Sequence, residues 1–170
     1  MPKRLREEMC AKEFFRKHDL KKHHVAPDGS CFLYIILATL GHTKKRLKRG
    51  GSVQATELER AMADDYRQRL IPEFGPDIGR APVYENNKCV KLGKYGGDAH
   101  WQYLAHILSI RFVLWNNLSS HSTKHIFIET DGRLKHKTAH EIDNILSGSN
   151  IPVVHAVWST TINDHFDHYS

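Results

Sequence analysis

Read for its hydrophobic and polar positions, the chain divides into a helical first half and a strand-rich second half. Residues 5–22 are charged, with Leu5, Met9, Phe14 and Phe15 as a sparse apolar set, and predict a weakly amphipathic helix. The turn-forming run Pro27-Asp28-Gly29-Ser30 follows. Residues 31–40 are so continuously apolar that they predict a buried helix, stopped by Gly41. Residues 53–70 place Val53, Leu58, Met62, Tyr66 and Leu70 near helical spacing, with Ser52 or Thr56 as N-cap and Pro72 as the stop. The Pro/Gly-rich stretch 72–97 predicts loops and short turns. A further helix over 98–110 takes Asp98 as N-cap and aligns Trp101, Leu104, Ala105 and Leu108 on one face. Strand-like runs then occupy 111–116, 124–130 (closed by the Asp131-Gly132 turn) and 151–159, and a last strand starts at His165. Helices followed by strands predict one α+β domain over 1–170, a small central sheet flanked by helices, with residues 1–25 as an N-terminal helical extension.

Composition changes this picture little. The 170 residues, 40% of them hydrophobic, suffice for one core, and no apolar stretch approaches the roughly 20 residues of a membrane helix. The charged N-terminus lacks the apolar centre of a secretory signal. A soluble, cytoplasmic, monomeric protein with no membrane partner is the expectation. The net charge of +6 is concentrated in residues 3–22 and 44–50, which read as a solvated face and a loop. A nucleic-acid-binding domain ranks as a distant alternative, because these basic runs lack interleaved aromatics. Three cysteines, Cys10, Cys31 and Cys89, without CxxC spacing argue against a disulfide scaffold or a zinc knuckle. Metalloprotease, EF-hand, P-loop and dinucleotide-binding motifs are all missing, and no cofactor is expected. Cys10 and Cys89 read as ordinary thiols.

The candidate chemistry begins at Cys31, a thiol at the first position of a buried helix. Unpaired N–H groups and the helix dipole favour the thiolate there. Asp28, Gly29 and Ser30 can aim further amides at the same place, the geometry of an oxyanion hole. The competing reading is a small buried hydrophobe beside a turn. A nucleophilic cysteine needs a base, and the base an orienting group. In "NDHFDHYS" (163–170) a strand puts His165, Asp167 and Tyr169 on one face and Phe166 and His168 on the other. Asp167 can then fix the tautomer of His165. The same alternation separates His165 from His168 and disfavours a metal between them. A polar tail is the competing reading here.

Three blocks resemble, in order, the ovarian tumour (OTU) family of cysteine peptidases: "PDGSCFLYIILATL", "YGGDAHWQYLAHILSIRFVLW" and "DHFDHY", together spanning residues 26–169. The resemblance implies a papain-like OTU fold and deubiquitinase activity, the hydrolysis of isopeptide or peptide bonds after the C-terminal glycine of ubiquitin or a ubiquitin-like protein. It implies Cys31 as nucleophile, His165 as general base, Asp167 as its orienting acid and Asp28 as the residue shaping the nucleophile loop, whose amides over residues 28–31 bind the oxyanion. His168 is a rival base without an acid two residues on, since Ser170 holds that place. Tyr95, His100 and Leu33-Tyr34 replace the family's more usual tryptophan, acidic residue and Phe-Arg pair. Ubiquitin or polyubiquitin is the implied partner, with residues 73–84 facing its basic tail by charge complementarity. A catalytically silent ubiquitin-binding relative is the other reading of the resemblance. Trp115 reads as core or as a neighbour of the histidine, and Asn116 or Asn117 as an alternative orienter.

Overall fold

The structure, a computed structural model, describes residues 9–45, 54–74, 81–86, 88–93, 97–116, 118–158 and 165–170. Leu5, Ser52, Val53, Tyr95, Asn117, Ser159, residues 46–50 of the basic loop and residues 75–80 of the expected tail-facing loops lie outside them. So do the side chains of residues 70–74. The described elements are α1 (Ala11–Lys17), β1 (Lys22–His23), α2 (Cys31–Thr39), α3 (Glu57–Phe74), β2 (Val83–Glu85), β3 (Lys88–Lys91), α4 (Asp98–Leu108), β4 (Arg111–Trp115), β5 (His125–Ile128), β6 (Leu134–Lys137), α5 (Ala139–Leu146), β7 (Val153–Trp158) and β8 (Phe166–Tyr169). Six strands form one sheet in the order β1-β8-β7-β4-β5-β6, antiparallel except for the parallel pair β4 and β7. β2 and β3 make a separate hairpin. The fold is therefore mixed, a central sheet flanked by helices.

Alternation along β4 sets up the layers. Phe112 and Leu114 point into a core shared with α2 and α4. Val113 and Trp115 point into a second core, shared with Phe14 and Phe15 of α1 and Ile142 of α5. Because both faces of the strand are covered, "RFVLW" reads as a continuous apolar run. α2 is buried from Cys31 through Ala38 and lies under the sheet. No described helix is long and apolar enough to cross a membrane.

Several local expectations are corrected. The first helix ends at Lys17 because Asp19 takes a left-handed φ of 52° and Leu20 N–H turns back to the Phe15 carbonyl at 2.8 Å. Lys22 and His23 then leave the helix for an edge strand beside β8. α3 runs two residues beyond Pro72, whose fixed φ suits a helix and whose missing N–H removes one bond near the end. Its buried face is Glu59, Ala63 and Arg67, joined by Ala55 just before the helix, while Leu58 is 61% exposed. Small alanines at the contact allow close approach to α2, and both charges are partnered. Glu59 forms a reciprocal cap with Thr56 (2.9 and 3.1 Å). α4 starts one residue earlier than its expected cap implies, with Gly97 at the cap position and its N–H donated to His100 Nδ1 at 2.6 Å. The β2–β3 hairpin, in a stretch expected to hold loops and short turns, was not expected, nor were β6 and α5. Thr138 and Glu141 form a capping box for α5, a spacing visible in "TAHE" (138–141) once Thr138 is read as the cap.

Five histidines are buried among the described residues: His23, His125, His155, His165 and His168. Burial lowers the pKa of His125 to about 4 and those of His155 and His168 to about 3. Each is thus neutral in the fold and takes up a proton on unfolding below about 6.5. Stability should be full above that pH and fall as pH drops toward 4. Glu129, Glu141 and Asp143, lowered instead, contribute acid-sensitivity only from about 4.5 downward. Urea unfolding should show a lower midpoint at about pH 5 than at about pH 7.5, and equal midpoints would contradict this assignment.

Candidate active site

The site is built where α2 begins. Ser30 is the N-cap and Cys31 the first helical residue. The backbone N–H groups of Cys31 and Phe32 face the Cys31 sulfur, as orphan first-turn donors can. A third N–H directed at the same sulfur belongs to Phe166, 135 positions away in the chain. β8 makes this possible. It is an interior strand, paired to β7 through His155–Tyr169 and Trp158–Phe166 and to β1 through Lys22–Tyr169. The "polar tail" reading of the last residues is thereby replaced by a strand held on both sides.

His165 immediately precedes Phe166 and is 1% exposed. Its Nε2 lies 3.6 Å from Asp167 Oδ1, an ion-pair distance slightly beyond hydrogen bonding. Asp167 is shared with Lys22 of β1, whose Nζ is 3.5 Å away. The other ring nitrogen, Nδ1, is buried and has no hydrogen-bond partner. Burial lowers the His165 pKa; Asp167 works against this and Lys22 with it, so the ring is neutral near pH 7. His168 sits elsewhere, its Nε2 3.3 Å from Thr39 Oγ1. Thr39 is eight residues along α2 from Cys31, or about 12 Å at 1.5 Å per residue. The fold thus brings β8, with His165 and Asp167 paired on it, up to the Cys31 sulfur through Phe166, and sets His168 against Thr39 instead.

The loop that leads into Cys31 is fixed from several directions. Asp28, 2% exposed, accepts from Ser30 N–H (2.9 Å), from the Tyr34 hydroxyl (2.7 Å) and from the Tyr84 hydroxyl of β2. Burial raises both tyrosine pKa values, and the Asp28 carboxylate adds to it, so both remain donors. Because Ser30 N–H serves Asp28, it is withdrawn from the expected oxyanion set. Arg67 reaches over from α3 to the Gly29 carbonyl (3.2 Å) and Ser30 Oγ. Gly29 has φ 92°, and a Cβ there would stand 2.5 Å from the Gly93 carbonyl oxygen. Gly93 N–H in turn donates to the Asp28 carbonyl at 2.9 Å. Removing the Asp28 carboxylate would strand buried donors at about 1–3 kcal/mol each.

Burial also corrects the expected thiolate. It pushes the Cys31 thiol up from 9.0 to about 12, with the Asp28 charge adding, against the three amides. That rise corresponds to roughly 4 kcal/mol, larger than the ~0.3–2 kcal/mol a helix terminus supplies. At rest, therefore, Cys31 is a neutral thiol and His165 a neutral imidazole. Such a pair can act by transferring the thiol proton to the imidazole as the sulfur attacks.

Arg67, Tyr84 and Gly93 are missed by sequence reasoning. Arg67 does follow Ala63 at i+4, but a charge on a helix ordinarily signals a solvated face; Tyr84 and Gly93 carry no local signal. Cys89, opposite Tyr84 in the hairpin, is half-buried and its thiol is raised by burial and by Asp28. Trp115 belongs to the second core and donates to His155 Nδ1 at 3.3 Å, away from His165. The Asn116 side chain is exposed, and its backbone N–H donates to His125.

Alkylation by iodoacetamide should be slow at Cys31 near pH 7, where a pKa of about 12 leaves on the order of one thiol in 10⁵ ionised. The rate, read by peptide mass mapping, should climb about tenfold per pH unit past pH 9. A rate that levels off below about pH 8 would contradict the buried, neutral thiol. Comparison with models of protein families, with curated proteins and with solved structures finds no significant match for this chain.

Proposed function

We propose that this chain is a papain-like cysteine peptidase of the OTU type, a deubiquitinase cleaving after the C-terminal glycine of ubiquitin or a ubiquitin-like protein. The observation that carries the reading is the Phe166 N–H at the Cys31 sulfur, since His165 is the next residue in the chain. The three ordered sequence blocks supply the family and the substrate. Burial adds support for a slender substrate. Cys31 is 1% exposed and its loop is closed down by Gly29 against Gly93, so an acyl group without a side chain suits it.

In the proposed cycle the Cys31 thiol proton passes to His165 Nδ1 while sulfur attacks the terminal glycine carbonyl. The N–H groups of Cys31 and Phe32, at the positive end of α2, take the oxyanion. His165 returns the proton to the leaving lysine amine, and a thioester remains on Cys31. Water, giving its proton to His165, then attacks the thioester and releases the glycine carboxylate and the free thiol. Asp167 steadies the imidazolium that forms in each half. No cofactor enters this scheme.

One observation favours a second reading. A thiol held at about 12, without an ion pair to the imidazole, also fits a silent relative that binds ubiquitin and does not cut. A ubiquitin probe with an electrophilic C-terminus separates the two. The parent should form a covalent adduct and hydrolyse ubiquitin chains, and Cys31→Ala should do neither while still binding ubiquitin. His165→Ala should lose about 10²–10⁴-fold in rate, and Asp167→Ala less, about 10²-fold at most. Binding without adduct in the parent would select the silent binder; cleavage by Cys31→Ala at the parent rate would end the proposal.

A further inference from the structure

Away from the Cys31 site, on the α1 side of the sheet, a second thiol has company of a different kind. Cys10, 5% exposed, precedes α1, and its Sγ lies 3.6 Å from Glu13 Oε1. The same carboxylate oxygen is 2.8 Å from His121 Nε2, on the segment between β4 and β5. One ligand atom from each of the three residues lies within 4.8 Å of the others. The two segments are also joined through the main chain, by Lys12 N–H to the Leu118 carbonyl at 3.0 Å. The spacing is thus set by backbone, and not only by two surface side chains meeting.

We propose that Cys10, Glu13 and His121 bind one zinc ion, with water as the fourth ligand. A thiolate, an imidazole and a carboxylate are the donor types zinc accepts in tetrahedral sites, whereas calcium and magnesium prefer oxygen alone. Zinc–ligand bonds of about 2.0–2.3 Å place tetrahedral ligand atoms roughly 3.3–3.6 Å apart. The sulfur–carboxylate distance already fits. The carboxylate–imidazole pair need only open by about half an ångström, the metal taking the place of the shared proton. Zn²⁺ would displace the Cys10 thiol proton to solvent, so affinity falls as pH falls. The consequence is a clip between α1 and the segment after β4. α1 carries Phe14 and Phe15, which pack on Trp115, and Phe15 stacks on Tyr169 at 4.4 Å. The clip therefore braces β8 from behind, independently of what the Cys31 site does.

Cobalt titration of the full chain tests this, in a Cys31→Ala/Cys89→Ser background that removes the other thiols. One equivalent of Co²⁺ should give a thiolate-to-cobalt charge-transfer band, displaced by zinc, and zinc should raise Tm. Cys10→Ser should abolish the band. His121→Ala, at a half-exposed position that leaves folding intact, should weaken binding by at least about tenfold. No band under excess cobalt, or a band indifferent to His121→Ala, would overturn the site, and if Cys10→Ser fails to fold the His121 variant decides.

Discussion

A single amide from the end of the chain, Phe166 N–H, reaching a sulfur at the start of α2 is the contact on which the candidate site depends. It exists because β8 is clamped between β7 and the two-residue β1, with Lys21 and Ser170 exchanging backbone hydrogen bonds at 3.0 Å in both directions. A frayed β8 would carry His165 and Asp167 away together. The clamp is braced on the α1 face by Phe15 against Tyr169, and on the α2 face by Phe166 against Trp101 and Trp158. Core packing and site geometry are thus the same set of contacts.

The second constraint is burial, and it acts on both partners. It holds Cys31 as a thiol and His165 as a neutral ring, so in the proposed reaction proton transfer accompanies attack. It also explains why the loop needs so many anchors. Asp28 is a buried carboxylate, kept by three donors from three segments, and Arg67 is a buried guanidinium kept by the Gly29 carbonyl and Ser30. Buried charges persist when partnered and are costly when not. The hairpin β2–β3 belongs to this network through Tyr84, whose ring also lies 4.2 Å from the Arg60 guanidinium of α3. Any movement of the hairpin therefore reaches the loop before Cys31 directly.

Much of this was legible in the residues. The apolar run after Cys31, the face of α4 and the strands at 111–116 and 151–159 follow from periodicity, and His165 with Asp167 from alternation. What was hidden has physical causes. The buried face of α3 is made of alanines and partnered charges, so hydrophobic spacing pointed to Leu58 instead. β1 is two residues long and owes its existence to β8, so no local pattern announces it. Helix-end activation of Cys31 was a sound local argument, but desolvation, a property of the whole fold, outweighs it. Tyr34, which reads as a packing position in sequence, is an anchor of Asp28 because the helix turns it onto that carboxylate.

Disulfide trapping tests the meeting of the two chain ends most directly. With Cys10 and Cys89 changed to serine, His165→Cys under mild oxidation should yield an intramolecular Cys31 disulfide on peptide mapping, and His168→Cys should stay reduced. The opposite pattern, a bridge from position 168 and none from position 165, would contradict the account.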